Sequence, residues 1–364
     1  MFCGRRTTAG TTAGTARHGR QDTVHRTGRP GRGGRSERRL GVPGAMARRI
    51  DVTGAGGVRL AAWEFGDPPK TDPRTDPGTD PETDPETGPG TGPQSGPQSG
   101  PHTAPGAGDG PGVLLLHGLM GRASHWAPTA RWLSGGHRAV ALDQRGHGRS
   151  DKPPRGSYTR EAYVEDVEAA LEQLGLGPAV LIGHAMGALT AWQLAAKRPD
   201  LVRGLIICDM RASALGAASQ HTWTEWFRAW PVPFATLADV RKWFGEDDPW
   251  VERPNPSRGE WYAEVMAESP DGWRPVFEPD QMLRSRETWV YDAHWEELAQ
   301  VRCPTLVVRG LDGELGRAEA QEMVRVLPRG QYAEVADAGH LVHYDQPEAW
   351  RAAIEPFLDS LRDA

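Results

Sequence analysis

The chain has 364 residues and a formal net charge of −6, so it can form one large domain or two modest ones. The charge is uneven: residues 1–45 hold ten Arg and two acidic residues, which leaves about −14 for the remainder. That balance gives the folded part no electrostatic affinity for nucleic acid. No apolar run approaches the ~18 residues of a membrane span, and three scattered cysteines exclude a disulfide framework and a zinc site. We expect a cytoplasmic monomer or homodimer without a metal, a cofactor or a membrane contact.

Two polar segments interrupt the sequence. Residues 1–45 are rich in Arg, Gly and Thr and carry too little apolar surface to fold, so we expect disorder. They are either a basic tail for nucleic acid or anionic membrane, or an upstream extension that is not translated; we favour the second, with Met46 as the start, because fold-like sequence begins there. Within residues 67–111, a four-residue repeat that starts at Thr71 has Pro in every unit, which predicts an extended low-complexity loop insert.

The remaining sequence, from residue 46 to 364, begins with a predicted β-hairpin at 48–53 and 58–65. After the insert, short apolar strands alternate with helical patterns. The predicted strands are 113–116, 139–142, 179–184, 205–208, 304–308 and 332–335. The predicted helices are 126–133, a helix capped by Thr159, one that follows residue 185, 319–327, and a closing helix through residues 350 and 357. This alternation predicts an α/β fold, with a mostly parallel central sheet covered by helices on both faces.

The alternation stops over about residues 212–300, a segment that holds nine of the fourteen Trp residues. Its pattern favours helices, which predicts a helical cap inserted after the strand that ends at Asp209. Trp223, Trp226 and Trp230 share one helical face, so we expect most of them to form the cap core and some to line a pocket. Because pockets under a cap are largely apolar, we expect an apolar or aromatic small molecule as ligand.

Residues 179–188 predict a strand, a sharp turn and a helix, with glycines at 183 and 187. Glycines that flank the turn residue are typical of a nucleophile elbow, where strand and helix approach closely. The turn residue of such an elbow attacks the substrate and is Ser, Cys or Asp. Here it is Ala185, whose methyl group cannot attack.

Taken together, the motifs resemble the α/β-hydrolase superfamily across about residues 47–361. They are HGLMG after the third strand, DQRGHGRS after the fourth, GHAMG at the elbow and AGH after the last strand. The resemblance implies an oxyanion hole from the backbone N–H groups of Leu119 and Met186, and a general base at His340. For the acid that orients this base it offers Asp209, after the sixth strand, or Asp312, after the seventh; we favour Asp209.

The other motif residues have structural interpretations. We expect His117 and His147 to shape their loops, His184 to pack inward, and Asp143 to join loops through backbone N–H groups. His343 is interpreted as a cap contact or a surface residue.

Without a hydroxyl group at position 185, acyl-enzyme chemistry is lost. The first hypothesis is an enzyme led by the His340–acid pair: an ester or C–C bond hydrolase, or a cofactor-free lyase or oxygenase. The second is a catalytically inactive binding or regulatory protein on the same fold. A deliberate substitution of a serine enzyme, and a replacement hydroxyl from Ser124 or Ser213, are less favoured alternatives.

Overall fold

The computed structural model describes residues 47–66 and 110–362. The predicted tail at 1–45 and residues 67–109 of the predicted insert lie outside this range.

Ten strands and eleven α-helices organise the described residues. The strands are β1 (Ala47–Thr53), β2 (Arg59–Phe65), β3 (Val113–Leu116), β4 (Ala139–Asp143), β5 (Ala179–His184), β6 (Val202–Cys208), β7 (Met266–Ser269), β8 (Gly272–Pro275), β9 (Thr305–Gly310) and β10 (Gly330–Val335). The α-helices are α1 (Ala127–Leu133), α2 (Arg160–Leu174), α3 (Met186–Lys197), α4 (Gly216–Arg228), α5 (Leu237–Lys242), α6 (Pro256–Glu264), α7 (Pro279–Glu287), α8 (Trp295–Ala299), α9 (Arg317–Val326), α10 (Val342–Asp345) and α11 (Pro347–Ser360). Thr159 caps α2 as predicted, since its side chain accepts a hydrogen bond from the Ala162 N–H.

Eight of the strands form one sheet, in the order β1-β2-β4-β3-β5-β6-β9-β10. The β1–β2 and β2–β4 pairs are antiparallel, and every later pair is parallel. The predicted hairpin and the mostly parallel sheet are therefore confirmed. The carboxyl ends of the parallel strands share one edge, where α/β folds place their sites.

The sheet is apolar on both faces because its central strands are buried on both sides. In β3, Leu114 and Leu116 belong to one core and Val113 and Leu115 to the other, as the alternation of a strand requires. Helices α2, α3, α8 and α9 cover the first core, and α1 and α11 cover the second. In the part of the chain that the structure describes, no helix is both long and apolar enough to cross a bilayer.

The cap contains α4 to α7, but it is not purely helical. Strands β7 and β8 pair as a short antiparallel hairpin, which the Trp-rich sequence did not reveal. The end of the predicted cap segment also differs from expectation. Trp289, Val290, Leu298 and Val301 pack into the core beneath α3, so this stretch belongs to the main domain.

The predicted tryptophan face divides between two roles. Trp226 and Trp230 are buried in an aromatic cap core, where their ring centroids lie 4.9 Å apart. Trp223 instead lines the cavity between cap and sheet. Trp250 stacks on Trp226 at 4.4 Å and continues this lining to the surface.

Gly187 is a position where any side chain would collide with the backbone. A Cβ atom there would lie 2.4 Å from the carbonyl oxygen of Leu116. We expect Gly187→Ala to lower the free energy of unfolding by about 1–3 kcal/mol, the usual effect of overpacking. Gly135→Ala is the matched control, because its nearest neighbour would lie at an ordinary 3.4 Å. Urea unfolding measures both; equal stability of the two variants would contradict the close approach of α3 to β3.

Candidate active site

Ala185 stands at a strained turn between β5 and α3. Its φ of 47° and ψ of −121° lie outside the usual regions for a residue with a side chain. Its N–H donates to the Cys208 carbonyl oxygen at 3.0 Å, which fixes the turn against β6. Strain of this kind clusters at functional sites. The turn at Ala185 thus has the strained strand–turn–helix geometry predicted for a nucleophile elbow, with a methyl group at the turn residue.

His340 follows β10 and meets Asp209, which follows β6. The His340 Nδ1 atom lies 2.8 Å from Asp209 Oδ2, and the Asp209 side chain is fully buried. The His340 side chain is 31% exposed and lines the same cavity as Ala185. The predicted base and the favoured acid are therefore neighbours at the elbow.

The loop after β9 holds the Asp209 carboxylate in place. The N–H groups of Glu314 and Leu315 donate to its two oxygens at 2.8 and 3.3 Å. Gly313 leaves the necessary space, because a Cβ atom there would lie only 2.5 Å from Asp209 Oδ1. A side chain at position 313 and the Asp209 carboxylate therefore exclude each other.

Asp312, the other candidate acid, is not brought to His340. Its side chain is 58% exposed, and it accepts a hydrogen bond from Arg253 at 3.2 Å. An exposed ion pair of this kind contributes little to stability.

The two predicted oxyanion donors are both available. Leu119 and Met186 line the cavity, and within residues 47–66 and 110–362 neither backbone N–H has a protein acceptor. The neighbouring Met120 N–H, by contrast, donates to His147 Nε2. A Cβ atom at Gly118 would lie 3.2 Å from the Ala185 methyl group, so this loop borders the elbow.

Charge around His340 favours its protonated form. Burial lowers the pKa of the imidazole, but the charge of Glu314 and then the hydrogen bond and charge of Asp209 outweigh it and raise the pKa to about 9. His340 therefore carries a proton at neutral pH in the free protein.

The cavity has a volume of about 260 Å³. Its walls combine aromatic rings with charged groups that the sequence analysis did not single out: Arg211, Arg258, Arg286, Glu314 and Asp345. None of its described lining residues is Ser, Thr or Cys. Ser124 and Ser213 are not among them either; the Ser124 hydroxyl group donates to Glu264 in the cap.

The supporting histidines are buried beneath the site. His117 Nε2 accepts from the Gln144 N–H, and His184 Nε2 donates to the His340 carbonyl oxygen at 2.9 Å, in agreement with their predicted structural roles. The prediction for His343 was wrong. It is buried and stacks on Trp126 at 3.8 Å, because α10 turns it away from the cap into the core of the main domain.

Asp143 ties its loops together as predicted. Its carboxylate accepts from the N–H groups of Ala123 and Arg149, and from the Trp63 indole. The described residues contain no cluster of His, Cys, Asp and Glu arranged to hold a metal ion.

Residues 111–347 match the family model of the alpha/beta hydrolase fold. The chain belongs to this family. The turn at Ala185 and the contact between His340 and Asp209 therefore lie on an alpha/beta hydrolase fold.

Similar proteins are hydrolases by name. The chain is 30% identical to the 2-(acetamidomethylene)succinate hydrolase of Mesorhizobium japonicum over 264 residues, 70% of this chain and 90% of that protein. It is 26% identical to epoxide hydrolase 1 of Caenorhabditis elegans over 268 residues, 69% of this chain and 65% of that protein. The crystal structure of E-2-(acetamidomethylene)succinate hydrolase is also similar, with a TM-score of 0.65 and 24% sequence identity. The match covers 86% of this chain and 99% of the hydrolase chain.

The raised pKa of His340 predicts a pH-dependent contribution to stability. The pKa is about 9 in the folded protein and about 6.5 in an unfolded chain. The stabilisation is fully present below pH 6.5 and is lost as the pH rises through about 9. The difference in unfolding free energy between wild type and His340→Gln should therefore shrink between pH 6 and pH 9.5 in urea titrations.

The matched control is His221→Gln, which replaces an exposed histidine on α4. If the difference in unfolding free energy between wild type and His340→Gln stays constant or grows as the pH rises, the raised pKa of His340 is contradicted.

Proposed function

We propose that this α/β hydrolase is an enzyme in which His340, oriented by Asp209, moves a proton on an apolar or aromatic small molecule bound under the cap. The supporting observation is the 2.8 Å contact between His340 Nδ1 and Asp209 Oδ2, made by a histidine that lines the same cavity as Ala185. A general base is assigned first from its geometry and only then from its pKa. The contact between His340 and Asp209 meets the geometric requirement for a base oriented by an acid.

The contact assigns separate tasks to the two ring nitrogens. Nδ1 donates to the carboxylate, so Nε2 is the atom that exchanges a proton with the substrate or with a water molecule. Negative charge then develops on a neighbouring oxygen of the substrate. The Leu119 and Met186 N–H groups stabilise that charge, a contribution typically worth about 100-fold or more in rate per donor.

Ala185 excludes a covalent intermediate at the turn residue of the elbow. The favoured reaction is attack by water on an ester or a similar C–X or C–C bond, with His340 as general base. Relatives named as hydrolases support this choice, although their names cover different bonds. Because the His340 pKa is about 9, base catalysis should strengthen as the pH rises towards that value.

The second candidate is a small-molecule-binding protein without catalytic activity. The observation that favours it is Ala185 itself, since replacing the nucleophile is the simplest way to silence this fold. The enclosed cavity would then serve recognition alone.

The two candidates differ in how they depend on His340. We expect His340→Ala to lower both p-nitrophenyl acetate hydrolysis and deuterium exchange at the α-carbon of acetophenone by about 100-fold or more, the usual contribution of a general base. Ester hydrolysis is followed by absorbance and exchange by NMR, both at pH 9. His221→Ala is the matched control and should keep wild-type rates. Equal rates for wild type and His340→Ala with both substrates would contradict His340-led chemistry on these substrates and favour the binding protein.

Restoring the missing hydroxyl tests whether the elbow is still competent. Ala185→Ser should gain about 100-fold or more in p-nitrophenyl acetate hydrolysis, because loss of a catalytic serine costs far more than that in serine hydrolases. It should also be labelled by a fluorophosphonate probe. The gain should disappear in the double variant with His340→Ala. A folded Ala185→Ser protein that neither reacts nor labels would show that the elbow and the His340–Asp209 pair do not converge.

A further inference from the structure

Arg286 is a buried cation in the wall of the catalytic cavity. It lies on α7, is 1% exposed, and contributes to the cavity lining. Its guanidinium carbon lies 4.9 Å from the centre of the Trp223 ring and 5.4 Å from that of Trp289. These rings stabilise the charge by cation–π contact, but they accept no N–H hydrogen bonds of ordinary strength.

Most of its hydrogen-bonding capacity is unused. A guanidinium group has five N–H donors. Nη1 donates to Gln220 Oε1 at 2.7 Å and Nη2 to Ser219 Oγ at 2.6 Å, while the buried Nε has no partner among the residues that the structure describes. Within the described residues, no carboxylate lies within 4 Å of Arg286, although each of the other two cavity arginines has one: Arg211 pairs with Glu319 and Arg258 with Asp248.

Such a group is costly to bury. An unpaired buried charge is destabilising unless it is compensated by an opposite charge and by hydrogen bonds. Burial lowers the pKa of Arg286 only to about 10, so the group remains a cation at neutral pH. Gln220 is itself held by the Leu283 carbonyl oxygen, which keeps the guanidinium in a fixed orientation.

We propose that Arg286 binds a carboxylate group of the substrate, so that this enzyme acts on an aromatic or apolar carboxylic acid. The inference rests on the proposed function and names its substrate class. A carboxylate matches the planar donor fork of arginine. It would supply hydrogen-bond acceptors and a closer opposite charge than Glu314, which interacts with Arg286 only electrostatically.

The position of α7 relative to the elbow fits this assignment. Ser285, the preceding residue, contacts the Met186 sulfur atom at 3.7 Å, so this part of α7 lies over the start of α3. A substrate anchored at Arg286 would place its apolar body among Trp223 and Trp289 and extend its reactive part towards Ala185. Glu314, an exposed carboxylate of the same lining, disfavours a second negative charge near His340.

Binding of charged and neutral probes of the same shape tests the proposal. Benzoate and phenylacetate are titrated by calorimetry against benzamide and phenylacetamide. We expect the wild-type protein to bind each acid about tenfold or more tightly than its amide, as a charge-assisted hydrogen bond implies. Arg286→Met should abolish that preference, and Arg286→Lys, which keeps the charge without the fork, should weaken it. Arg284→Met is the matched control, because it removes an exposed arginine from the same helix.

Three results would overturn the proposal. The acids could bind no more tightly than their amides, all four probes could fail to bind, or the preference for acids could survive in folded Arg286→Met. The wild-type comparison needs no variant, so it decides the matter even if Arg286→Met fails to fold. Calorimetry measures binding alone, so the two proposals can fail separately. If the protein prefers acids but His340→Ala does not change turnover, the proposed reaction is wrong and the carboxylate site at Arg286 is still supported.

Discussion

The hydrogen bond between Asp209 and His340 is the interaction on which the site depends. It joins the end of β6 to the loop after β10 across the strand β9 that separates them in the sheet. The loop after β9 permits it by carrying Gly313, where any Cβ atom would enter the space of the carboxylate. A side chain at position 313 would therefore compete with the Asp209 carboxylate for the same space.

Around this pair, the turn at Ala185 has a strained backbone, but its side chain is only a methyl group. Among the described residues, the nearby N–H groups of Leu119 and Met186 have no protein acceptor. The surrounding charges favour the protonated form of His340, and among the described residues no carboxylate lies within 4 Å of the Arg286 guanidinium. These features are the basis for proposing non-covalent proton chemistry on an anionic substrate rather than acyl transfer.

Much of this arrangement could be predicted from the sequence, because local constraints determine it. The elbow follows from Gly183 and Gly187, and the parallel sheet follows from apolar strands that alternate with helices. The sequence could not reveal long-range packing: the burial of His343, the return of residue 289 to the main core, or the isolation of Arg286. These depend on which partners the fold brings within a few ångströms. The sequence favoured Asp209 over Asp312 without deciding between them, because the decision depends on distances: Asp209 lies 2.8 Å from His340, whereas Asp312 pairs with Arg253.

The most direct measurement is the NMR signal of the His340 Nδ1 proton. A proton shared between imidazole and a buried carboxylate resonates at unusually low field. Such a signal should be present in the wild-type protein and in Asp312→Asn, and it should be lost in Asp209→Asn and in His340→Gln. A signal that survives in Asp209→Asn, or that vanishes in Asp312→Asn, would show that Asp209 is not the partner of His340.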